Sequence, residues 1–440
     1  MYEELIAYLV NKWRSRIPPK DLVVRNKSFS IHEFFQRPRK IVSIVGPRRT
    51  GKTYFVYQVY SEIKELGYDA VYLNFEDERI ENDKVVLSDF LTVVKSQFGS
   101  KKIYLLLDEI QRIDEWSRWL RRVYDTENYN ILVTGSTSKL IGLNLPREIG
   151  GRTITIMTYP LRFSEFIRFK GEKVDLSSAR YSEDERAKLI NLLEEYLHFG
   201  GLPEVVLSAK YKKLMILQEY YRTIMTRDIA RGEIRNTELL DKFLKLIIRA
   251  KQMSISKIYN TIKSAGYKAG KGTLIEYLDR AKEAFFIETI PIHYESLKAK
   301  IRMPKKVYVC DNGYIEAVTP KVDMGRLLEN AVYIELKRRY WHDPKIEIAY
   351  WYDGQNEVDF VVKKGNQILE LIQVCYDISN LETKEREVRS LRKAMRQLGT
   401  REAIIVTGYQ YGEVSKDTTK IKILPYWEWE QKIQPPYCIW

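Results

Sequence analysis

The sequence predicts a multidomain α/β protein, on the strength of three observations. The chain has 440 residues, several times the ~150 that serve as a guide for one domain. In its first third, short apolar runs that end in glycine or acidic residues alternate with helical patterns, as in a parallel sheet. Further along, a basic helical segment is followed by strands that carry acidic residues. We expect four domains, at residues 1–178, 179–235, 236–312 and 313–440.

Composition excludes several classes of protein. Hydrophobic residues make up 45% and charged residues 30% of the chain, as in ordinary globular proteins. No run approaches the ~18 apolar residues of a membrane span, and the N-terminal residues mix acids with apolar residues, unlike a signal peptide. The cysteines Cys310, Cys375 and Cys438 lie far apart and the four histidines are scattered, so no disulfide framework or zinc cluster is expected. We expect a cytoplasmic protein with no membrane partner.

The first domain contains a predicted strand followed by a phosphate-binding loop. Residues 41–46, IVSIVG, are apolar, and GPRRTGKT at residues 46–53 precedes a helical pattern. This setting suits the spacing G-x-x-x-x-G-K-[ST], in which loop amides and a helix N-terminus donate hydrogen bonds to phosphate oxygens. Lys52 would reach the β- and γ-phosphates, and the Thr53 hydroxyl would bind Mg²⁺. The predicted nucleotide-binding residues of this loop are Gly46, Pro47, Arg48, Arg49, Thr50, Gly51, Lys52 and Thr53.

A second predicted strand ends in two acidic residues. KKIYLLLDEI spans residues 101–110, and Asp108 follows Lys52 by 56 residues. Phosphoryl transfer needs a metal that neutralises oxygen charge and a separate group that positions the attacking water. We therefore predict that Asp108 holds Mg²⁺, directly or through water, and that Glu109 polarises the attacking water. A strand that ends in two acids by coincidence is the structural alternative.

Polar residues also follow a third apolar run, NILVTGSTSKL, at residues 130–140. The carboxyl ends of parallel strands meet at one edge of a sheet, so Ser136 and Thr134 are candidates for sensing the γ-phosphate. Arg147 and Arg152 come next and are candidates for an arginine finger. A finger acting on a neighbouring subunit would require a homo-oligomer, and one acting within its own chain would not. A surface position without a catalytic role is the alternative for each arginine.

Six motifs follow one another in this sequence: GPRRTGKT, YLLLDEIQRIDEW, LVTGSTS, GGR at residues 150–152, YPLRFSEF at residues 159–166 and FGGLPEVV at residues 199–206. In these motifs the chain resembles a family of archaeal and bacterial AAA-type ATPases that carry a C-terminal domain of unknown function with a restriction-endonuclease-like core. The resemblance extends over nearly the whole chain. It implies a P-loop NTPase fold, Mg²⁺-dependent nucleotide binding and ATP as the nucleotide, and it supplies no biological role.

Residues 180–235 show helical spacing that is interrupted at residues 200–203, GGLP. We predict a small helical bundle that extends the ATPase core. Arg227 and Asp228 could contact nucleotide or a neighbouring subunit, but packing is the role we expect for this segment.

The segment at residues 236–312 predicts a winged helix. Helical patterns at LLDKFLKLIIRAK, SISKIYNTIKSAG and KGTLIEYLDRAKEAFF precede two short β-rich runs. Between Lys245 and Lys306 there are 14 Lys and Arg against five Asp and Glu, a surplus of nine in a chain of net charge +14. In a winged helix the third helix can lie in the major groove of DNA, with the wing on phosphates. The candidate DNA contacts are Lys268, Lys271, Arg280, Lys282, Lys298, Lys300 and Arg302.

Two interpretations of this basic segment stay open. Clustered positive charge attracts phosphate, which favours DNA as the partner. Winged helices also serve as protein-docking modules or spacers, and a lysine-rich surface can simply be solvated. Binding that weakens as salt rises would indicate phosphate contacts.

The last domain resembles the PD-(D/E)XK nuclease fold. The helical pattern GRLLENAVYIELKRRYW contains Glu329, and the strand after it carries Glu357 and Asp359 before a hairpin into a second strand. In the nuclease fold, two or three such acids hold the metal that supports phosphodiester hydrolysis.

The second strand of this domain departs from the nuclease pattern. The usual I-E-V-K aligns with residues 372–375, which read Ile, Gln, Val and Cys. Gln373 therefore replaces an acidic metal ligand, and Cys375 replaces the lysine that assists the attacking water. Glu370 should point to the opposite face of the strand, since side chains alternate with period two. We expect an inactive or strongly weakened nuclease.

Three hypotheses for function follow. The leading one is a Mg²⁺- and ATP-dependent ATPase that acts on DNA or is regulated by it. The first alternative is a nucleotide-controlled switch that docks a protein partner without DNA. The second is an ATP-dependent DNA nuclease, which Gln373 and Cys375 argue against.

Overall fold

The computed structural model describes most of the 440 residues and divides them into two compact units. The description covers residues 2–20, 22–25, 27, 30–36, 38–99, 102–136, 149–176, 178–294, 300 and 303–431. The first unit reaches Tyr159, and residues Pro160–Pro435 form the second. The finer division into four domains stays a prediction, because two compact units neither confirm nor exclude it.

Helices and strands alternate in the first unit. The helices are α1 (Glu3–Arg16), α2 (Lys52–Glu65), α3 (Val85–Phe98) and α4 (Trp116–Thr126). The strands are β1 (Ile41–Val45), β2 (Asp69–Asn74), β3 (Ile103–Asp108), β4 (Asn130–Gly135) and β5 (Thr153–Met157). Short 3₁₀ helices lie at Ile31–Phe35 and Ile110–Arg112.

The five strands of the first unit form one parallel sheet in the order β2-β3-β4-β1-β5. Every residue of β1, β3 and β4 is buried, as expected for a parallel sheet that is covered on both faces. The predicted parallel α/β core is thereby confirmed. The segments after β1, β3 and β4 all leave from the same edge of the sheet, where ligands bind in such folds.

An aromatic cluster packs between α1, α2 and the sheet. The ring of Trp13 lies 5.3 Å from that of Tyr72 and 5.8 Å from that of Tyr57. The Tyr57 and Tyr72 rings are 5.2 Å apart and nearly perpendicular, an arrangement that aromatic pairs favour. This packing fixes Tyr72, whose hydroxyl points towards the end of β3.

The second unit begins with helices. They are α5 (Phe163–Phe169), α6 (Glu183–Phe199), α7 (Pro203–Leu207), α8 (Lys210–Thr223), α9 (Thr237–Arg249), α10 (Ile255–Ser264), α11 (Lys271–Glu283), α12 (Asn312–Val318), α13 (Met324–Tyr340), α14 (Leu381–Leu398) and α15 (Tyr426–Gln431). A π-helix at Ile224–Ala230 continues α8, and a 3₁₀ helix lies at Ser178–Arg180.

Two sheets lie in the second unit. The strands are β6 (Gln252–Met253), β7 (Ile287–Ile290), β8 (Lys305–Val309), β9 (Ile346–Tyr352), β10 (Glu357–Lys364), β11 (Gln367–Val374), β12 (Glu402–Thr407), β13 (Gly412–Lys416) and β14 (Thr419–Pro425). The small sheet is antiparallel in the order β6-β8-β7 and accompanies α9, α10 and α11. The large, mixed sheet has the order β13-β14-β12-β11-β10-β9.

Strand β8 of the small sheet is buried against helix α13. The Tyr308 ring stacks on that of Tyr333 with centroids 4.1 Å apart. The Asn330 side chain accepts from the amide of Val309 at 2.9 Å and donates to its carbonyl at 3.0 Å. The segment predicted as a strand of the wing is therefore packed inside the second unit, and its backbone is held by the side chain of Asn330.

The motif FGGLPEVV marks a close approach of backbone segments. Gly200 has a φ of 73°, and a Cβ there would lie 1.8 Å from the Asp311 carboxylate. That carboxylate accepts from the amides of Gly201 at 2.7 Å and Gly313 at 2.9 Å. Glycine is needed because any side chain at residue 200 would displace Asp311.

A buried ion cluster explains the arginine of the motif YPLRFSEF. Arg162 donates to Glu335 at 2.8 Å, and Glu335 also pairs with Arg338 and Arg339. Glu430 accepts from the amide of Phe163 at 2.6 Å, at the start of α5. These buried ion pairs tie α5, α13 and α15 together inside the second unit. Removing one partner would leave a buried charge unpaired.

No helix among the described residues is both long enough and apolar enough to cross a membrane.

Candidate functional site

The loop between β1 and α2 has the conformation that phosphate binding requires. Gly46 has a φ of 151°, and a Cβ there would lie 2.2 Å from the carbonyl oxygen of Thr158. Gly51 has a left-handed φ of 88° and immediately precedes α2. Glycine adopts such conformations at little cost, whereas other residues are strained there. Among the described residues, no side-chain hydrogen bond caps the N-terminus of α2, and the first amides of such a helix can donate to phosphate oxygens.

The Lys52 ammonium lies inside this loop. It donates to the carbonyl oxygens of Gly46 at 3.0 Å and Pro47 at 2.9 Å, and Lys52 is only 6% exposed. The side chain therefore points into the concave face of the loop, where phosphate oxygens would offer the same kind of acceptor. Thr50 closes the turn by donating to the Pro47 carbonyl at 2.9 Å.

Three hydroxyl groups converge on the Asp108 carboxylate at the end of β3. Thr53 donates to Oδ2 at 2.8 Å, and Tyr72 donates to the same atom at 2.8 Å. Thr134, on the neighbouring strand β4, donates to Oδ1. Asp108 is fully buried. The carboxylate is thus fixed in position beside the first turn of α2, as a magnesium-binding acid in this fold must be.

Glu109 is held by contacts from β4. Its backbone is left-handed, with a φ of 55°, and its amide donates to the Thr134 hydroxyl at 3.0 Å. The Ser136 hydroxyl donates to Oε2 at 3.3 Å, and the Gln111 amide donates to the same oxygen. Burial raises the pKa of the Glu109 carboxyl, while the nearby Lys52 ammonium opposes that shift. A raised pKa suits a group that accepts a proton.

Arg25 is a buried cation at the back of the loop that sequence reasoning did not identify. Its guanidinium donates to the carbonyl oxygens of Thr50 at 3.2 Å and Tyr159 at 2.9 Å. Its backbone is bound on both sides by the Gln58 amide of α2, at 3.0 and 2.9 Å. Arg25 therefore braces the phosphate-binding loop against the segment that follows β5. Nothing in the sequence around it forms a recognisable motif.

The structure does not bring every predicted arginine to this site. Arg152 precedes β5, at the amino edge of the sheet, and it pairs with Asp125 at 3.1 Å. The loop follows the carboxyl end of β1, five residues away along the paired strands, or about 16 Å. An arginine finger at Arg152 within the same chain is therefore wrong. Arg147 lies outside the described residues. Arg48 pairs with Glu76 at 3.5 Å.

The residues around Asp108 and Thr53 fit a magnesium ion. Mg²⁺ takes oxygen ligands and is usually held by one or two protein groups together with phosphates and water. The Thr53 hydroxyl and the Asp108 carboxylate supply hard oxygen donors 2.8 Å apart, next to the loop that would hold the phosphates. Thr53 and Asp108 are thus the residues that would hold the ion.

The predicted DNA contacts fall into three groups. Lys268 and Lys271 are exposed; Lys268 lies just before α11 and Lys271 is its first residue. Arg280 and Lys300 are engaged with acids, Arg280 with Glu233 at 2.6 Å and Lys300 with Glu347 at 2.5 Å. Lys282 is half-buried, and burial together with Lys305 lowers its pKa. Lys298 and Arg302 lie outside the described residues. As phosphate contacts, Arg280, Lys282 and Lys300 stay predictions, and in this conformation their charges are paired with acids or partly buried.

The nuclease-like residues come together around a lysine. Lys306 of β8 is 2% exposed in its side chain and lies 3.1 Å from Glu329, 2.7 Å from Glu357 and 2.6 Å from Asp359. Gln373 accepts from the amide of Asp359 at 3.3 Å. The structure brings these three acids and Gln373 together, whereas the sequence did not single out the lysine, which belongs to a strand expected in the wing.

Burial and the lysine act in opposite directions on these acids. Burial raises the pKa of the Asp359 carboxyl to about 7. Burial would also raise the pKa of Glu329, but the Lys306 ammonium and the Arg326 guanidinium lower it instead. The three carboxylates raise the pKa of Lys306 against its own burial, so Lys306 carries its proton. Within the described part of the chain, no group of three or more His, Cys, Asp or Glu has an arrangement that could hold a metal.

Family models cover most of the chain. A model described as an AAA domain matches residues 38–167. Two models described as domains of unknown function, DUF8612 and DUF4143, match residues 190–324 and 324–429.

Relatives of similar length exist in an archaeon and a bacterium. Uncharacterized protein MJ1544 of Methanocaldococcus jannaschii is 35% identical over 403 residues, which are 89% of this chain and 88% of that one. An uncharacterized protein of Haemophilus influenzae is 27% identical over 399 residues, 88% of this chain and 93% of that one. Among solved structures, AMPPCP-bound DnaA from Aquifex aeolicus is 15% identical over 56% of this chain and 82% of that one, with a TM-score of 0.26, too low to carry an argument.

The parallel sheet, the phosphate-binding loop and the matching family model define a P-loop nucleotide-binding protein with an AAA-type domain. The chain as a whole belongs to the same family as MJ1544 of M. jannaschii, in which the AAA domain is followed by segments of unknown function.

Proposed function

We propose that this protein is a Mg²⁺-dependent ATPase that acts on DNA or is regulated by it. The observation that carries the ATPase proposal is the 2.8 Å hydrogen bond between Thr53 of the loop and Asp108 of β3. It brings together the two groups that hold Mg²⁺ in P-loop NTPases. Phosphoryl transfer is the chemistry for which this pair and the adjacent Glu109 are suited.

Different residues of the first unit have separate roles in hydrolysis. Lys52 and the amides of the loop bind the β- and γ-phosphates, while Thr53 and Asp108 hold the metal. The bound Mg²⁺ would neutralise charge on the phosphate oxygens. Glu109 accepts the proton of the attacking water, and its raised pKa favours that role. Thr134 and Ser136 are positioning residues, because they fix Asp108 and Glu109 through hydrogen bonds.

DNA is proposed as the regulator on the basis of the exposed lysines of the α10–α11 segment. Lys257, Lys263, Lys268 and Lys271 are all exposed there, within the segment from Lys245 to Lys306 that has a surplus of nine basic residues. The order of α9, α10, α11 and the β6-β8-β7 sheet supports a winged-helix interpretation, in which the α10–α11 turn approaches the phosphate backbone. Phosphate contacts of this kind position a protein without reading sequence.

The test is the rate of ATP hydrolysis with and without single-stranded, duplex and branched DNA across a salt series. The proposal expects a rate that changes with DNA, and an effect that fades as salt rises, because phosphate contacts release counterions. A rate that is unaffected by any DNA at low salt would contradict DNA regulation and leave the ATPase proposal intact.

A protein-docking switch is the second candidate. The exposed face of α11 carries Ile275, Glu276 and Asp279 beside Lys271. Glu276 is paired with Arg280 at 2.9 Å, and Asp279 adds a negative charge that repels phosphate. Helix α11, the third helix of the predicted winged helix, is thus less suited to a DNA groove than the turn before it. A protein partner with a basic surface would suit this face, and its binding would be measurable in the absence of DNA.

We further propose that the nuclease-like domain has no nuclease activity. Among the described residues, Glu329, Glu357 and Asp359 supply the carboxylates of the cluster, and each lies within about 3 Å of the Lys306 ammonium. Glu370 contacts Tyr340 and Arg339 instead. Hydrolysis of a phosphodiester in this fold depends on a metal held by such acids.

A further inference from the structure

Lys306 joins three acids that come from two separate elements. Glu329 lies on α13, Glu357 and Asp359 lie on β10, and the lysine reaches them from β8. The register of β10 against β9 shifts between Val358 and Val361. A bulge of this kind re-aims side chains, and here it accompanies the turn of Asp359 towards the lysine. One ammonium therefore sits where three carboxylates converge.

The oxygens of this cluster are already in use. The Glu329 oxygen bound to Lys306 also accepts from the Tyr308 hydroxyl at 2.7 Å. The second Asp359 oxygen accepts from the amide of Val374 at 2.8 Å, and the second Glu357 oxygen accepts from Gln252 at 2.7 Å. A divalent cation needs several such oxygens at 2.0–2.6 Å. The positions that would bind it are taken by the ammonium and by these donors.

Strand β8 holds Lys306 in place. Gln252 pairs with Lys306 and Met253 with Lys305, and Arg326 donates to the Val307 carbonyl. Further along, Asn330 binds both backbone groups of Val309. Withdrawal of the lysine would require the small sheet to separate from α13. The Lys306 ammonium is therefore a fixed part of the fold and does not move in and out of the cluster.

We propose that the Lys306 ammonium permanently occupies the cation position of the nuclease-like site, and that replacing Lys306 with a neutral residue creates a site for a divalent cation. This proposal rests on the nuclease-like interpretation of the second unit, and it is independent of ATP hydrolysis. The presence of Gln373 and Cys375 in place of the usual acid and lysine would by itself weaken metal binding. The proposal adds that another cation already fills the metal position. The cluster then has a structural role, as an ion group that fixes β8 to α13 and β10.

The first test uses Lys306→Ala, which removes the ammonium together with the chain that carries it and leaves space between the three carboxylates. We expect the variant to bind one Mn²⁺ per chain more than the wild type, measured by Mn²⁺ paramagnetic resonance without nucleotide. Mn²⁺ should raise the melting temperature of the variant more than that of the wild type, since a ligand of the folded state stabilises it. Lys305→Ala, a change at the neighbouring residue, is the matched control and should add no site.

The double variant Lys306→Ala/Asp359→Asn locates the new site. It should lose the additional Mn²⁺, because a carboxylate oxygen is replaced by an amide. A folded Lys306→Ala protein without the additional Mn²⁺ would overturn the proposal. So would a double variant that keeps the additional ion, since that ion would then lie elsewhere. The rate of ATP hydrolysis, measured in parallel, reports on the first unit and separates a failure of this proposal from a failure of the ATPase proposal.

The second test needs no variant and holds even if Lys306→Ala does not fold. Amine acetylation of the wild-type protein, followed by mass spectrometry, should label the exposed Lys263 and leave Lys306 unmodified. Addition of Mn²⁺ should not change this pattern. If Mn²⁺ makes Lys306 reactive, the metal displaces the lysine and the occupation is not permanent. Rapid labelling of Lys306 without metal would also overturn the proposal.

Discussion

The hydroxyl of Thr53 donates a hydrogen bond of 2.8 Å to the carboxylate of Asp108, across 55 residues of sequence. This contact joins the loop that would hold phosphate to the strand that would hold the metal. It forms because β1 and β3 are parallel strands of one sheet, separated only by β4. Strand β4 places Thr134 between the two acids, which makes that residue the most specific target outside the phosphate-binding loop and β3.

Thr134→Val should slow ATP hydrolysis while leaving nucleotide affinity nearly unchanged. The variant keeps the shape of the side chain but loses the hydroxyl that binds Asp108 and the Glu109 amide. Loss of a hydrogen bond to a charged group costs about 1.5–3 kcal/mol, or roughly a 10- to 100-fold lower kcat if it acts in the transition state. Steady-state kinetics and a fluorescent-nucleotide titration measure the two quantities. Thr92→Val, at an exposed hydroxyl on α3, is the control, and an equal effect there would contradict the assignment.

The pH dependence of hydrolysis should reflect the raised pKa of Glu109. Burial favours the protonated carboxyl, so the base is lost as pH falls through a value above the ordinary pKa of a glutamate, about 4.3. We expect kcat to begin falling on the acid side at a pH clearly above that value, while nucleotide binding stays constant over the same range. A kcat that is flat down to about pH 4.5 would show that Glu109 does not titrate in the rate-limiting step.

Lys268→Ala/Lys271→Ala should weaken DNA binding to many sequences alike. Each lost phosphate contact lowers the slope of log K against log salt by about 0.9, so the double variant should lose roughly two units of slope. Fluorescence anisotropy over a salt series gives both the affinity and the slope. Lys210→Ala/Lys212→Ala, at exposed lysines of α8, is the matched control. Identical slopes for the two double variants would favour the docking interpretation.

Purified protein should cut neither plasmid nor branched DNA with Mg²⁺ or Mn²⁺, whether or not ATP is present. The acids that would hold a metal surround Lys306 instead. Gel assays over several hours provide the measurement. Cleavage that disappears in Asp359→Ala while ATP hydrolysis persists would show that this domain is an active nuclease. Cleavage that persists in Asp359→Ala would identify a contaminant.

Local motifs made the nucleotide site predictable. The glycines and Lys52 lie within eight residues, and their spacing alone specifies a strand, a tight loop and a helix N-terminus. Asp108 and Glu109 could be added because an apolar run ending in acids has a defined place at the edge of a parallel sheet. The parallel core of the first unit followed from the same reasoning.

Arg25 and Lys306 could not be predicted, because their roles depend on packing between distant segments. Arg25 contacts Tyr159 across 134 residues, and Lys306 contacts Asp359 across 53. Lys306 looked like one more basic residue of a lysine-rich segment, and only its burial separates it from Lys268. The expectation of an arginine finger at Arg152 failed for a related reason. The sequence alone does not show that the start of β5 lies at the edge of the sheet opposite the phosphate-binding loop.

The most direct test of the central claim compares Glu109→Gln with the wild type in single-turnover hydrolysis of ATP, with Lys52→Ala as the variant that lacks phosphate binding. Lys52→Ala should lose about 100-fold in ATP affinity, since it removes a charge-assisted contact worth about 2–3 kcal/mol. Glu109→Gln should bind Mg²⁺-ATP with near wild-type affinity and hydrolyse it roughly 10²–10⁴-fold more slowly, because the acceptor for the water proton is gone. Hydrolysis by Glu109→Gln at the wild-type rate would contradict the proposed ATPase mechanism.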